Sequence, residues 1–170
     1  SIGHSVFYYC NKMQSIKIGN TISTIGSSVF YMCTNLSYSE YGNAYYIGND
    51  ENPYLILVKA VNTSITYCNI HEDTRIIYDS AFYNCTALTE IVIPNSVVSI
   101  GTDVFYNCAR ISTIVIPASV EYIANGAFRK CSSLNTISIS ADLFVSFADL
   151  FDGLSNLVTS LKTVNITGGT

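Results

Sequence analysis

Apolar positions recur along this chain with a period of 23 residues. The pattern Ile-Gly-x-x-[Val/Ala]-Phe-x-x-Cys starts at Ile2, Ile25 and Ile100, and returns at Ile77 and Ile123 with Tyr78 and Ala124 in the glycine place. It builds one column from Phe7, Phe30, Phe82, Phe105 and Phe128, and another from Cys10, Cys33, Cys85, Cys108 and Cys131. A third column follows: Met13, Leu36, Leu88, Ile111 and Leu134. Next comes an alternation that predicts a strand: Ile16-Lys17-Ile18, Ile91-Val92-Ile93, Ile114-Val115-Ile116 and Ile137-Ser138-Ile139. Gly19, Pro94, Pro117 or Ser140 then turns the chain, and Ile22, Val97, Val120 and Leu143 complete the unit. A single unit cannot bury these columns, but stacked units can, with strands paired at ~4.8 Å. The pattern therefore predicts a repeat solenoid with a parallel β-sheet on one side. The segment around Ala81–Cys85 is too short for an independent helix and predicts short helical turns or irregular structure on the other side.

The period breaks twice. Between Ile25 and Ile77 the spacing is 52 residues, one repeat plus 29. The extra residues, about 37–64, read as a β-hairpin inserted into the second repeat. Its strands are expected at Asn43–Ile47 and Tyr54–Ala60, around the turn cluster Gly48-Asn49-Asp50-Glu51-Asn52-Pro53. Register resumes at Ile65–Ile70, with Cys68 in the Ile91 column and His71 in the turn place of Pro94. The last repeat, about 141–170, is divergent: Leu150-Phe151 align with Ala127-Phe128, Leu154 takes the cysteine place and Leu157 aligns with Leu134. A shift of four residues then brings Leu161, Val164 and Ile166 back to strand spacing. Residues 1–170 read as a single domain that starts and ends inside the pattern, a stretch of a longer array.

Segments such as Ser80-Ala81-Phe82-Tyr83-Asn84-Cys85-Thr86-Ala87-Leu88-Thr89-Glu90-Ile91-Val92-Ile93-Pro94-Asn95-Ser96-Val97 resemble the leucine-rich repeats of BspA-like surface proteins, the subtype also known from Treponema. The resemblance covers essentially the whole chain. It implies a right-handed leucine-rich-repeat superhelix with no catalytic motif. It also implies a secreted or surface-anchored protein of bacteria or some parasitic protists, associated with adhesion to host matrix proteins or other cells.

Composition narrows the functions. A net charge of −4 gives no basic stripe to replace phosphate counterions, which argues against nucleic acid, and no polybasic patch for an anionic membrane. No apolar run approaches the ~20 residues of a membrane-spanning helix. No signal peptide is visible, so a signal and anchor are expected outside this stretch.

Candidate chemistry is sparse. Five cysteines stacked 23 residues apart would place their Cβ atoms near ~5 Å, wider than the ~3.8 Å of a disulfide, so they read as a column of buried free thiols. No Cys-x-x-Cys pair suggests structural zinc. Cys68 and His71 share a metal-like spacing, but a core thiol beside a turn histidine explains the pair better. Asp50-Glu51 and Glu72-Asp73 sit in turns, where carboxylates do not converge as acid–base work demands. A weak calcium site at Asn49-Asp50-Glu51 is a minor alternative. No catalytic residue, cofactor or metal is assigned.

Two candidate ligand surfaces remain. Tyr8, Tyr31, Tyr83 and Tyr106 follow the core phenylalanines as a stripe, and Tyr45, Tyr46 and Tyr54 lie on the inserted hairpin. Tyrosine suits recognition surfaces, yet the stripe also reads as rings that cover the repeat corners and stack on one another, and the hairpin as a structural variant packed against the neighbouring unit. Outward strand positions, among them Lys17, Asn69, Glu90, Val92, Thr113, Val115, Thr136, Ser138, Thr163 and Asn165, make a small, nearly uncharged face suited to broad contact and not to a pocket. The sequence thus supports a protein- or glycan-binding module on a host or neighbouring cell, with a spacer for a larger surface protein or an appendage of a secreted enzyme as alternatives. Open strand edges also predict end-to-end self-association.

Overall fold

A computed structural model describes residues 1–143, 147–151 and 160–168. In chain order the elements are β1 (Ser39–Tyr41), β2 (Ala44–Ile47), β3 (Ile56–Ala60), β4 (Tyr67–Asn69), β5 (Ile76–Ile77), β6 (Glu90–Val92), β7 (Ser99–Ile100), β8 (Thr113–Val115), β9 (Tyr122–Ile123), β10 (Thr136–Ser140), α1 (Phe147–Leu150) and β11 (Thr163–Thr167).

The Ile-x-Ile alternation becomes the first strand ladder. β4 pairs β6, and β8 pairs β10, which pairs β11, all in parallel. Each strand begins one residue before its apolar column position, at Tyr67, Glu90, Thr113, Thr136 and Thr163. The turn that ends it closes with the same bond in successive repeats: Thr74 N–H to the His71 carbonyl, Val97 to Pro94, and Val120 to Pro117. His71 therefore fills the turn place of Pro94. In the first repeat, Ile16-Lys17-Ile18 forms no strand. Ile18 N–H instead bonds the Gly48 carbonyl on the insertion at 2.9 Å.

A second parallel ladder, not anticipated from the sequence, runs through β5, β7 and β9, with Ile77, Ile100 and Ile123 in register. The solenoid thus carries two strand ladders where one sheet was expected. Past this ladder lie the turn segments, and they are not helical. Each contains two left-handed residues four apart: Ser80 and Asn84, Asp103 and Asn107, Gly126 and Lys130. Left-handed residues interrupt a right-handed helix. They also aim alternate N–H groups along the stack. Ser80, Phe82 and Asn84 donate to the carbonyls of Thr102, Val104 and Tyr106, each at 2.9 Å. Hydrogen bonds between repeats thus replace those a helix would make within one, and the turn segments form a third ladder.

The core is layered by side-chain type. The rings of Phe82, Phe105 and Phe128 stack at 5.4 and 5.6 Å with interplanar angles of 2° and 7°. Beside them the cysteines are free and, from Cys33 onward, buried. The column has a partner not foreseen in the sequence. The thiols of Cys33, Cys108 and Cys131 point at the carbonyls of Phe7, Phe82 and Phe105, each at 3.1 Å. Each thiol thus bonds the phenylalanine of the preceding repeat.

The insertion is a three-stranded antiparallel meander, not a two-stranded hairpin. Gly42 and Asn43, both at positive φ, make the two-residue turn between β1 and β2, the conformation that tight hairpins require. β3 then joins the second ladder by pairing β5 in parallel. Both its faces are buried. Leu57 lies with Ala44 and Tyr46 in one apolar cluster, while Ile56 and Val58 lie with Phe30 and Leu36 in the other. This two-sided burial explains why Tyr54-Leu55-Ile56-Leu57-Val58 is continuously apolar.

At the C-terminal side Phe151 is buried behind Phe128, as aligned. Ile137 pairs with Val164 and Ile139 with Ile166, an offset of 27 residues that bears out the four-residue shift. Leu154 and Leu157 lie outside the described residues.

Candidate functional site

The first ladder consists of two short parallel sheets, β4–β6 and β8–β10–β11, and its outward side is regular. Its registers align Tyr67 with Glu90 and Asn69 with Val92 on one sheet. On the next, Thr113, Thr136 and Thr163 form one row, and Val115, Ser138 and Asn165 the other. Val92, Val115 and Tyr67 are 64%, 57% and 56% exposed, so apolar side chains lie uncovered on this face. Glu90 supplies the only formal charge in these two rows. Of the outward positions read from the sequence, Lys17 lies in no strand and pairs with Asp50, while Tyr67, one place before Cys68 in the strand where register resumes, was not named.

The tyrosine stripe exists as two pairs. Tyr8 and Tyr31 stack at 5.0 Å, and Tyr83 and Tyr106 at 4.5 Å and 3°. Lys130 lies 5.0 Å over the Tyr106 ring, and its ammonium holds that phenol below the usual value. The insertion separates the pairs, so there is no continuous stripe.

On the insertion the three tyrosines part company. Tyr46 is fully buried and its hydroxyl accepts from His71 N–H at 3.4 Å, so it is a core residue and not part of a contact surface. The irregularity in β2 pairing falls between Tyr45 and Tyr46. Tyr45 is half-buried beside Tyr38, and the Lys59 ammonium lies 4.9 Å from the Tyr38 ring and 5.7 Å from the Tyr45 ring. Tyr54 stacks on His71 at 4.0 Å, with Tyr41 edge-on to the histidine at 4.8 Å. Tyr38, Tyr41 and Lys59 were missed, although Gly42-Asn43 is a hairpin signal that would have revealed β1.

The acidic loop is a structural clamp. Asn49 donates to the Ile18 carbonyl at 2.6 Å and to Asn20 at 2.7 Å, and accepts from the N–H groups of Glu51 and Asn52 at 2.9 Å. Asp50 pairs with Lys17 at 2.5 Å and Glu51 accepts from Asn20. The two carboxylates are thus drawn to different partners of the first repeat instead of converging. Asn49→Ala is expected to lower stability by ~1–3 kcal/mol, since it unfastens several partners at once. Lys17→Ala is expected to change it by less than ~1 kcal/mol, because that pair is exposed. Urea unfolding of both variants checks the contrast.

Cys68 and His71 do not form a nucleophilic pair. Burial pushes the Cys68 thiol up to about 12, and His71 Nδ1 faces Asp73 at 3.7 Å and its N–H at 3.2 Å. Among the described residues no three His, Cys, Asp or Glu side chains converge as metal ligands. No helix among them is long and apolar enough to cross a membrane.

Comparison with known proteins agrees with this geometry. The sequence profile of the BspA type leucine rich repeat region matches in six copies over residues 1–50 and 61–168. The chain belongs to the BspA-type leucine-rich-repeat family. The residues left unmatched between the two ranges, 51–60, fall in the insertion and end with β3. A leucine-rich-repeat protein of Bacteroides capillosus has a similar structure, at 24% identity and a TM-score of 0.63 over 78% of this chain and 99% of that one. A leucine rich cell surface protein of Faecalibacterium prausnitzii follows at 23% identity and 0.55, over 92% of this chain and 48% of that one. A leucine rich repeat protein of T. pallidum is 23% identical with a TM-score of 0.46, over 96% of this chain and 61% of that one. This BspA-type chain therefore spans about half to three-fifths of the last two proteins. No curated protein matches it.

Proposed function

We propose that this BspA-type domain is a non-catalytic interaction module displayed at a cell surface, where it contacts proteins of a host matrix or of other cells. The observation that carries the reading is the exposure of Tyr67, Val92 and Val115 across the two rows of the outward strand face. Apolar side chains left uncovered on a rigid ladder suit broad protein contact better than small-molecule capture. The similar Faecalibacterium protein is itself named as a cell surface protein.

The test is binding of the purified chain to immobilised matrix proteins and glycans, beside a Val92→Lys/Val115→Lys variant with an unchanged fold. Saturable binding to a matrix protein is expected, weakened at least ~10-fold in the variant by loss of apolar burial and the cost of desolvating two ammonium groups. A well-folded chain that binds nothing would move the reading to a spacer. In that role the layered Phe and Cys columns serve only to extend the array.

A further inference from the structure

Between the second and third repeats the third ladder is broken. Elsewhere, turn segments join by alternate N–H groups, Ser5 to Ser27 and Tyr9 to Tyr31 among them. The corresponding donors in the second repeat are Ser28, Phe30 and Met32, and the corresponding acceptors in the third are Asp79, Ala81 and Tyr83. The inserted strand has intervened. Ala60 N–H takes the Ala81 carbonyl at 2.8 Å. The Tyr78 hydroxyl accepts from Val29 N–H at 2.7 Å. Among the described residues the N–H groups of Ser28 and Met32 meet no acceptor.

Both residues line a groove of about 440 Å³, with Val58, Lys59 and Tyr78 on its other wall. Two features specify an occupant. The first is backbone geometry: the same donors in neighbouring repeats are filled by main-chain carbonyls at alternate residues, so a peptide backbone fits where a sugar ring does not. The second is charge. Lys59 is exposed, rests on two tyrosine rings and makes no ion pair among the described residues. Asp79, the acid on the groove wall, is already engaged by Thr102 N–H at 2.8 Å.

We propose that this groove binds a peptide segment bearing an acidic side chain, its carbonyls accepting from Ser28 and Met32 and its carboxylate pairing with Lys59. Main-chain bonds supply the register and the ion pair supplies the selectivity. This binding stands independently of the outward strand face.

The fold itself supplies the probe. Acetylated and amidated Gly-Thr-Asp-Val-Phe-Tyr-Asn, the sequence of residues 101–107, presents the carbonyls that fill these donors elsewhere and carries one carboxylate. Titrated into the 15N-labelled chain, it is expected to shift the Ser28 and Met32 amides saturably. A probe with Lys in place of Asp is expected to bind at least ~10-fold more weakly, and Lys59→Glu to reverse that order. Val92→Lys/Val115→Lys is expected to leave the titration unchanged, which separates this site from the strand face. Three results would each overturn the proposal: amides that stay put at millimolar probe, affinity indifferent to the sign of the probe's charge, or shifts confined to the strand face.

Discussion

Phe105→Ala is expected to destabilise the chain by ~3–5 kcal/mol, the upper range for truncating a buried aromatic. Phe105 is fully buried and stacked between Phe82 and Phe128, so its removal opens a void with a ring on either side. In a solenoid each repeat is held by its two neighbours, and a central ring serves both interfaces. Phe7 offers the contrast. It is only partly buried and stacks on Phe30 alone among the phenylalanines, at 6.2 Å. Phe7→Ala is expected to cost less than half as much. Urea unfolding followed by circular dichroism measures both. Equal losses at the two positions would mean that the ring column does not transmit stability between repeats.

The sequence displayed what depends on side-chain identity at a fixed spacing. Phe82, Phe105 and Phe128 each fill the same layer, so the period, the strand ladder and the buried thiols were all legible. What it concealed depends on the backbone. β7 and β9 are two residues long, too short for alternation to register. The left-handed turn positions hold Ser80, Asp103 and Gly126 in one column and Asn84, Asn107 and Lys130 in the other, so no one residue type announces them. Tyr45 and Tyr46 show the limit at the candidate site. Adjacent strand residues face opposite ways, and which one enters the core depends on the register with β3, where the pairing slips between them. The groove beside Lys59 was hidden for the same reason. It arises because β3 takes a hydrogen bond that the repeat pattern assigns to another segment.

A steep loss of stability above pH 9 is the second large effect expected, and it follows from the thiol column. Burial, joined by the Cys131 and Cys85 thiols, holds the Cys108 proton far above its ordinary value. Burial likewise raises Cys85 to about 11 and Cys131 to about 12, and Cys68, a buried thiol on β4 outside the column, to about 12. In the unfolded chain the same thiols ionise near 9. Below that pH both states are protonated and the buried column contributes its full stability. As pH rises from 9 toward 11, the unfolded chain sheds protons that the folded chain retains, so the free energy of unfolding falls. Each thiol adds a slope of at most ~1.4 kcal/mol per pH unit, and four acting together at most ~6 kcal/mol per unit, comparable to the whole stability of an ordinary domain. Tyr78, held at about 12 chiefly by burial, joins above its ordinary value of 10. The measurement is the urea midpoint under reducing conditions from pH 8 to 10.5, for the native chain and for Cys108→Ala/Cys131→Ala. The variant is less stable at pH 8, through two small voids and two lost bonds to phenylalanine carbonyls. Its decline with pH is nevertheless expected to be about half as steep, because two of the four titrating thiols are gone. An unchanged slope would assign the alkaline transition to groups other than the thiol column.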